Sequence, residues 1–341
     1  MDPLSQGVLG GVAAQTGARG NLALVGGLGM LSGMSADLDV FIRSDTDPIL
    51  FLEYHRQFTH SLIFVPFGAL ICTLLLYWLF ARRWLNFGQT YLYCFLGYAT
   101  HALLDACTSY GTQLFWPFST QRVAWNNISI IDPLFTLPIL LYAILAAWRT
   151  NVRWSYVALL WATLYLGFGL FQRDRAENAA VEIAASRGHA PEVVEAKPSF
   201  GNTLLWKTIY EHNGNYYVDA IRVGLATEVY LGEAIPKLDL QRDFPLLNKD
   251  SQQARDVERF RWFSAGYLAK STKTENLIID LRYSMLPNRG DGLWGILLSP
   301  DATAEQHAGY MMMRDLDRAS RSTFVEMLLG QSAGGIDKAF N

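Results

Sequence analysis

"SLIFVPFGALICTLLLYWLFA", residues 61–81, runs its whole length without a charged side chain. As a helix rising 1.5 Å per residue, such a stretch matches a hydrocarbon core of about 30 Å. That reading places the chain in a membrane. Residues 87–107, 128–148 and 154–172 have the same spanning length, and the last of these is also uncharged. Upstream, residues 4–15 and 22–34 are shorter, Gly-rich and joined at "TGARGN", which predicts a tight helical hairpin that spans thinly or re-enters. The expectation is an all-α polytopic membrane domain of about six helices, the first two short, over residues 1–175.

The remaining sequence differs in kind. The chain has 341 residues, 51% hydrophobic and 17% charged, yet nearly every long apolar run precedes Gln172. Residues 176–341 mix charge with apolar residues and predict a small soluble α+β domain. Net charge is −3, with no basic stripe, which excludes a nucleic-acid surface. Cys72, Cys94 and Cys107 show no CxxC spacing, so neither a disulfide framework nor a thiolate zinc site is indicated. The opening "MDPLSQGVLGG" begins with an acid and lacks a basic n-region, which argues against a cleaved signal peptide.

Basic residues in the short loops set the expected orientation. Arg19, Arg82, Arg83, Arg149 and Arg153 mark turns without acids, predicted cytoplasmic. The opposite loops carry Asp37, Asp39, Asp45, Asp47 and Glu53 against Arg43 and Arg56. This sorting uses no functional information, yet it sends Asp37, Asp39, His55, His60, His101, Asp105 and Asp132 to one outer, periplasmic face.

His101 and Asp105, in "HALLDA", are four apart and share a helix face, a spacing suited to ligands. Asp37 and Asp39, in "SADLDVF", converge only from an extended turn. His55 and His60, in "EYHRQFTHS", belong to the approach and first turn of the next span. Each has a plain structural reading when taken singly: a solvated acid, or a hydrogen-bonded histidine. Together, four segments deliver His and Asp without Cys, the ligand chemistry of Zn²⁺ or Mn²⁺. The number of donors allows two metals, which clamp attacking and leaving oxygens in phosphoester hydrolysis. In the loop "TSYGTQLFWPFSTQRVAWNN", Arg122 is placed to steady a phosphate, its alternative being a solvated interfacial arginine.

These motifs, with "MDPLSQGVLG", "HALLDACTSYGTQLFWPFS" and "NISIIDPLFTLP", resemble the LexA-binding, inner-membrane-associated hydrolase family of bacteria, described as membrane-bound metal-dependent hydrolases. The resemblance covers about residues 1–175 and, more loosely, "KPSFGNTLLWKTIY". It implies a metal-dependent hydrolase more distantly similar to zinc-dependent phospholipase C, with Asp39, His60, His101 and Asp105 as ligands, Asp37, His55 and Asp132 nearby, and one to three ions. Where many relatives carry His in a "DPLTH"-like segment, this chain has Gln6.

In the soluble half, residues 173–189 read as a helix leaving the membrane, punctuated by Gly188 and Pro191. "TLLWKTIYEH" and "YYVDAIRVGL" flank Asn213 and Gly214 as a hairpin. Residues 250–268 read as an amphipathic helix, and "NLIIDLRY" and "LWGILLS" as strands. One antiparallel sheet with helices on a single face, ferredoxin-like, is the economical packing. His189, His212 and His307 stand isolated, and the domain is expected in the periplasm as a substrate cap or a docking module for a protein partner.

The functional expectation is a metal-dependent hydrolase, phosphoesterase-like, acting on a lipid or lipid-linked substrate at the outer leaflet, with Asp37 or His55 as base. Two rivals remain open. One is a transporter using the same residues as an ion or proton pathway. The other is a non-enzymatic anchor with a structural metal.

Overall fold

The computed structural model describes residues 1–313 and 317–331. The chain forms two compact units, one from Met1–Phe41, Tyr54–Phe171 and Phe200–Thr203, the other from Ile42–Glu53, Gln172–Ser199 and the chain from Leu204 on. The boundary near residue 171 lies close to the compositional shift. The exchange of residues 42–53 and 200–203 between the units has no signature in composition.

The first unit is helical. Asp2 caps α1 (Pro3–Thr16), accepting from the Ser5 amide at 3.1 Å ahead of a proline already set for the first turn. α2 (Leu22–Met34) continues as a 3₁₀ segment, Ser35–Phe41. After α3 (Leu50–Tyr54) come α4 (Val65–Leu76), prolonged by a π turn at Tyr77–Ala81, then α5 (Phe87–Cys107), α6 (Pro133–Arg149) and α7 (Arg153–Ser186).

Glycines bring α1, α2 and α5 together. A Cβ on Gly29 would sit 2.5 Å from the Gly10 carbonyl, and one on Gly97 would sit 2.3 Å from the Gly29 carbonyl. Backbones pack this closely only where side chains are absent. The Gly-rich short segments therefore form a close three-helix contact that draws α5 and its polar residues inward. Two apolar clusters flank it, one around Val12, Leu104 and Phe135, the other around Leu28, Tyr93 and Tyr98.

Among the described residues, three stretches are long and apolar enough to cross a membrane: Leu22–Phe41, Leu62–Ala81 and Arg153–Ser186. The second and third correspond to predicted spans. The first gains its length from the 3₁₀ extension, which the short reading of residues 22–34 did not include. α5 occupies the predicted residues 87–107, but Gln89, Thr90, Thr100, His101 and Asp105 make it less apolar than a spanning helix. α6 is a shorter apolar helix of 17 residues because its start is set at Asp132, not at residue 128. The helix predicted from residue 173 is the continuation of α7, since no Pro or Gly interrupts the chain there. It stops before Gly188, which adopts φ +74.

Among its described residues, the second unit forms two four-stranded antiparallel sheets. β1 (Val194–Pro198), β2 (Leu205–His212), β3 (Asn215–Val223) and β4 (Thr227–Pro236) follow sequence order, as do β5 (Leu268–Lys270), β6 (Leu277–Asp280), β7 (Trp294–Leu297) and β8 (Gly309–Met312). α8 (Leu240–Asp243), α9 (Gln252–Phe263) and α10 (Arg318–Leu329) accompany them. The predicted hairpin is present, with Asn213 at φ 49 and Gly214 at φ 73. The ferredoxin-like expectation is overturned: that fold threads helices between the strands of one sheet, whereas here hairpins build two successive meanders.

Candidate metal centre

Three stretches of the first unit build the site. The 3₁₀ segment Ser35–Phe41 supplies Asp37 and Asp39, which a three-residue turn points in different directions. His60 closes a short 3₁₀ turn, Phe58–His60, and His101 and Asp105 lie one turn apart on α5. His60, His101 and Asp105 are fully buried, whereas Asp37 keeps a partly exposed side chain.

The donor atoms converge. His60 Nε2 and His101 Nε2 are 2.9 Å apart. Asp37 Oδ1 is 3.5 Å from the former and 3.4 Å from the latter, and Asp105 Oδ2 is 3.1 Å and 3.6 Å from them. One ligand atom from each of these four residues lies within 4.8 Å of the others, and Asp37, Asp39 and His55 form a second such group.

Both buried imidazoles are oriented from behind. His101 Nδ1 meets the Gly33 carbonyl at 2.5 Å, and His60 Nδ1 lies 3.2 Å from Asp39 Oδ2. Each Nδ1 donates, so each Nε2 offers a lone pair, and the two lone pairs face one another. That is unfavourable unless a proton or a cation lies between them. Burial works against a charge on His60, but the carboxylates of Asp105, Asp37 and Asp39 outweigh it and push its pKa up to about 10. The pocket therefore favours a cation.

Asp39 takes a supporting position. Its carboxylate accepts from His55 Nδ1 at 2.7 Å, the Arg56 amide at 3.0 Å and Thr59 Oγ1 at 2.8 Å, in addition to His60. It thus orients two histidines at once, and it joins the four-donor cluster through His60. His55, half-buried, faces the cluster edge with its ring 5.9 Å from that of His60. Burial draws its pKa below the usual imidazole value, with Asp39 opposing and Arg56 assisting.

Arg56, read from sequence only as a loop charge, is buried, its Nε 3.0 Å from Asp105 Oδ2. The angle is poor, so neither atom completes a hydrogen bond. The Met1 amine and Gln6 Nε2, the latter at 2.8 Å, both meet Asp105 Oδ1. Gln6 thus stands at the centre, its Oε1 buried without a hydrogen-bond partner.

Two expected residues lie outside the donor groups. Asp132 caps α6, accepting from the Leu134 and Phe135 amides at 3.1 and 3.2 Å and from the Tyr165 hydroxyl at 2.9 Å. It belongs to neither donor group, and the Asp-Pro step that opens α6 is the sequence signal for this role. Arg122 donates to the Gly111 carbonyl at 2.9 Å and lies over the Tyr110 ring, which also contacts His55.

A model of the YdjM inner membrane protein family matches residues 1–176. The chain belongs to this family. Within the YdjM match lie all four converging donors, together with Asp39, His55, Arg56 and Gln6. The chain is also 32% identical over 104 residues to "Uncharacterized protein YfhP" of Bacillus subtilis (strain 168), covering 30% of this chain and 31% of that protein. It is 33% identical over 82 residues to "Inner membrane protein YbcI" of Escherichia coli (strain K12), covering 22% of this chain and 44% of that protein. The chain thus spans less than half the length of either relative. No solved structure matches. The YdjM family and the three apolar spans point to the inner membrane.

Proposed function

We propose that the first unit is a metal-dependent hydrolase of the inner membrane, phosphoesterase-like, acting on a lipid or lipid-linked substrate at the periplasmic face. The carrying observation is the pair of Nε2 atoms 2.9 Å apart, flanked by two carboxylate oxygens, one of them buried without a hydrogen-bond partner. Two imidazoles and two carboxylates fit Zn²⁺, with Mn²⁺ next. Asp37, His60, His101 and Asp105 would hold the ion. When bound, a divalent cation supplies Lewis acidity and lowers the pKa of water.

The chain's own residues do the rest. Asp39 keeps His55 and His60 each in one tautomer, and Arg56 offsets the charge of Asp105. His55, neutral and backed by Asp39, is placed to accept a proton at Nε2. Asp37, the exposed edge of the donor set, marks the side from which a substrate enters. Arg122, over Tyr110, remains the candidate phosphate partner. Orientation toward the periplasm rests on the arginine-bearing turns.

Burial favours a second reading. Four donors complete a tetrahedral shell, and three are sealed, as in a structural site that anchors a non-enzymatic membrane protein. Metal content and phosphoester turnover of the detergent-purified chain, beside His101→Ala and Asp105→Ala, decide between them. Metal and turnover both lost in the variants support the hydrolase. Metal lost with no turnover in any sample supports the anchor. Equal metal in all three removes both.

A further inference from the structure

Residues Ile42–Glu53 separate the two halves of the metal centre in sequence, yet they belong to the second unit. This strap starts three residues after Asp39 and ends two before His55. Ile49 and Leu52 are buried, and the Phe51 ring meets that of Tyr310 edge-on at 5.0 Å. Its main polar anchor is Arg259 on α9. That guanidinium grips Asp47 with two hydrogen bonds, 3.1 and 2.7 Å, reaches Glu53 through Nε, and is steadied by Asp256 at 2.8 Å. A planar fork satisfied by three acids holds a fixed geometry.

The strap is pinned at its ends as well. Asp39, before it, accepts from His55 Nδ1 and from the Arg56 amide, after it. Asp39 in turn orients His60, and Asp37 is two residues away on the same 3₁₀ turn. Fixing the strap therefore limits how far the two ligand-bearing segments can drift apart.

We propose that Arg259 is a positioning residue for the metal centre, holding through Asp47 and Glu53 the strap whose ends Asp39 joins. The second unit then tunes the site through this tether, whether or not it also meets a partner. The inference rests on the metal reading above, so its test includes a readout that needs no metal.

The full chain in detergent is compared with Arg259→Met, Arg259→Lys and a control, Arg261→Met, whose residue pairs with Glu258 on the same helix. Hydrogen exchange of the peptide covering residues 54–60, in metal-free protein, reports the Arg56 amide held by Asp39. Arg259→Met is expected to speed that exchange about tenfold and weaken Zn²⁺ binding by about tenfold, the scale for a lost supporting contact. Lysine keeps the charge without the fork and recovers only part of each effect, while the control stays at wild type. If Arg259→Met does not fold, the Asp47→Asn, Glu53→Gln pair releases the strap and leaves Arg259 with Asp256. Unchanged exchange at residues 54–60 overturns the tether, whatever zinc does. Faster exchange in Arg259→Met, beside a wild type that binds no zinc, keeps the tether and removes the metal reading alone.

Discussion

Buried charge is used in opposite ways in the two units. In the second unit, Asp280 and Arg282 are both buried, and the carboxylate takes the guanidinium side-on, with contacts of 2.7 to 3.2 Å. Arg187 and Asp219 form a similar fork. Each charge has a partner of matching shape, so the group is architecture. In the first unit, His60, His101, Asp37 and Asp105 crowd together with donor lone pairs facing each other and one acid oxygen left unsatisfied. Burial alone does not mark a site. Convergent donors that the chain does not satisfy among themselves do.

This contrast breaks most readily at Asp280. Replacing it with alanine strands Arg282 in the interior, which costs about 3–5 kcal/mol for a buried pair broken on one side. Hydrogen exchange across β6 and β7 should rise accordingly while zinc binding holds. A loss below about 1 kcal/mol, as for an exposed pair, would mean that the fork is not structural.

His101→Ala should do the converse. With one donor gone, zinc affinity should fall at least about 100-fold, beyond what orienting partners usually contribute, while exchange across β6 and β7 is unchanged. Competition with a chelator measures the first and mass spectrometry the second. Undiminished zinc binding would place the ion elsewhere.

The site was more legible than its support. His101 and Asp105 follow from helix periodicity, and charge sorting brought Asp37, His55 and His60 to the same face. Asp132 was carried along by that sorting, although side and distance are different quantities and its Asp-Pro context marks a cap. Arg56 and the orienting role of Asp39 were hidden because both depend on the left-handed backbone at Arg56, φ 64, which turns its amide onto Asp39. In the second unit the Asn-Gly turn announced β2 and β3. β5 is too short to show alternation, β8 holds no β-branched residue, and β1 and β4 lack a comparable turn signal. The strap was invisible for a different reason: Asp47 and Glu53 look like solvated loop acids until Arg259, some two hundred residues later, is brought to them.

Asp39→Asn sharpens the comparison inside the site itself. An amide keeps the shape but removes the negative charge behind His55 and His60 and can present a donor to a donating Nδ1. Zinc affinity should fall about 10- to 100-fold with the bound stoichiometry kept, the pattern of an orienting group. Loss of a whole equivalent of metal would instead make Asp39 a ligand in its own right and move the second donor group, Asp37, Asp39 and His55, to the front.

The smallest effect concerns Lys207, a buried cation of the second unit that contacts no carboxylate among the described residues. Its ammonium donates to Ser284 Oγ at 2.8 Å and to the Arg289 carbonyl at 2.7 Å. Burial pulls its pKa down to about 7, with Asp280, Glu233 and Asp291 opposing from a distance. Unfolded, the same amine titrates near 10.5. Below pH 7 both states are protonated and the penalty is constant. Between about 7 and 10.5 the unfolded chain holds a proton that the folded chain has released, so stability rises with pH, by at most about 1.4 kcal/mol per pH unit. Lys207→Met should flatten that rise between pH 7 and 8 in a denaturation series. If the slope survives, Lys207 remains charged in the fold, and the second unit tolerates a buried cation without a contacting acid, which would weaken the distinction drawn between the two units.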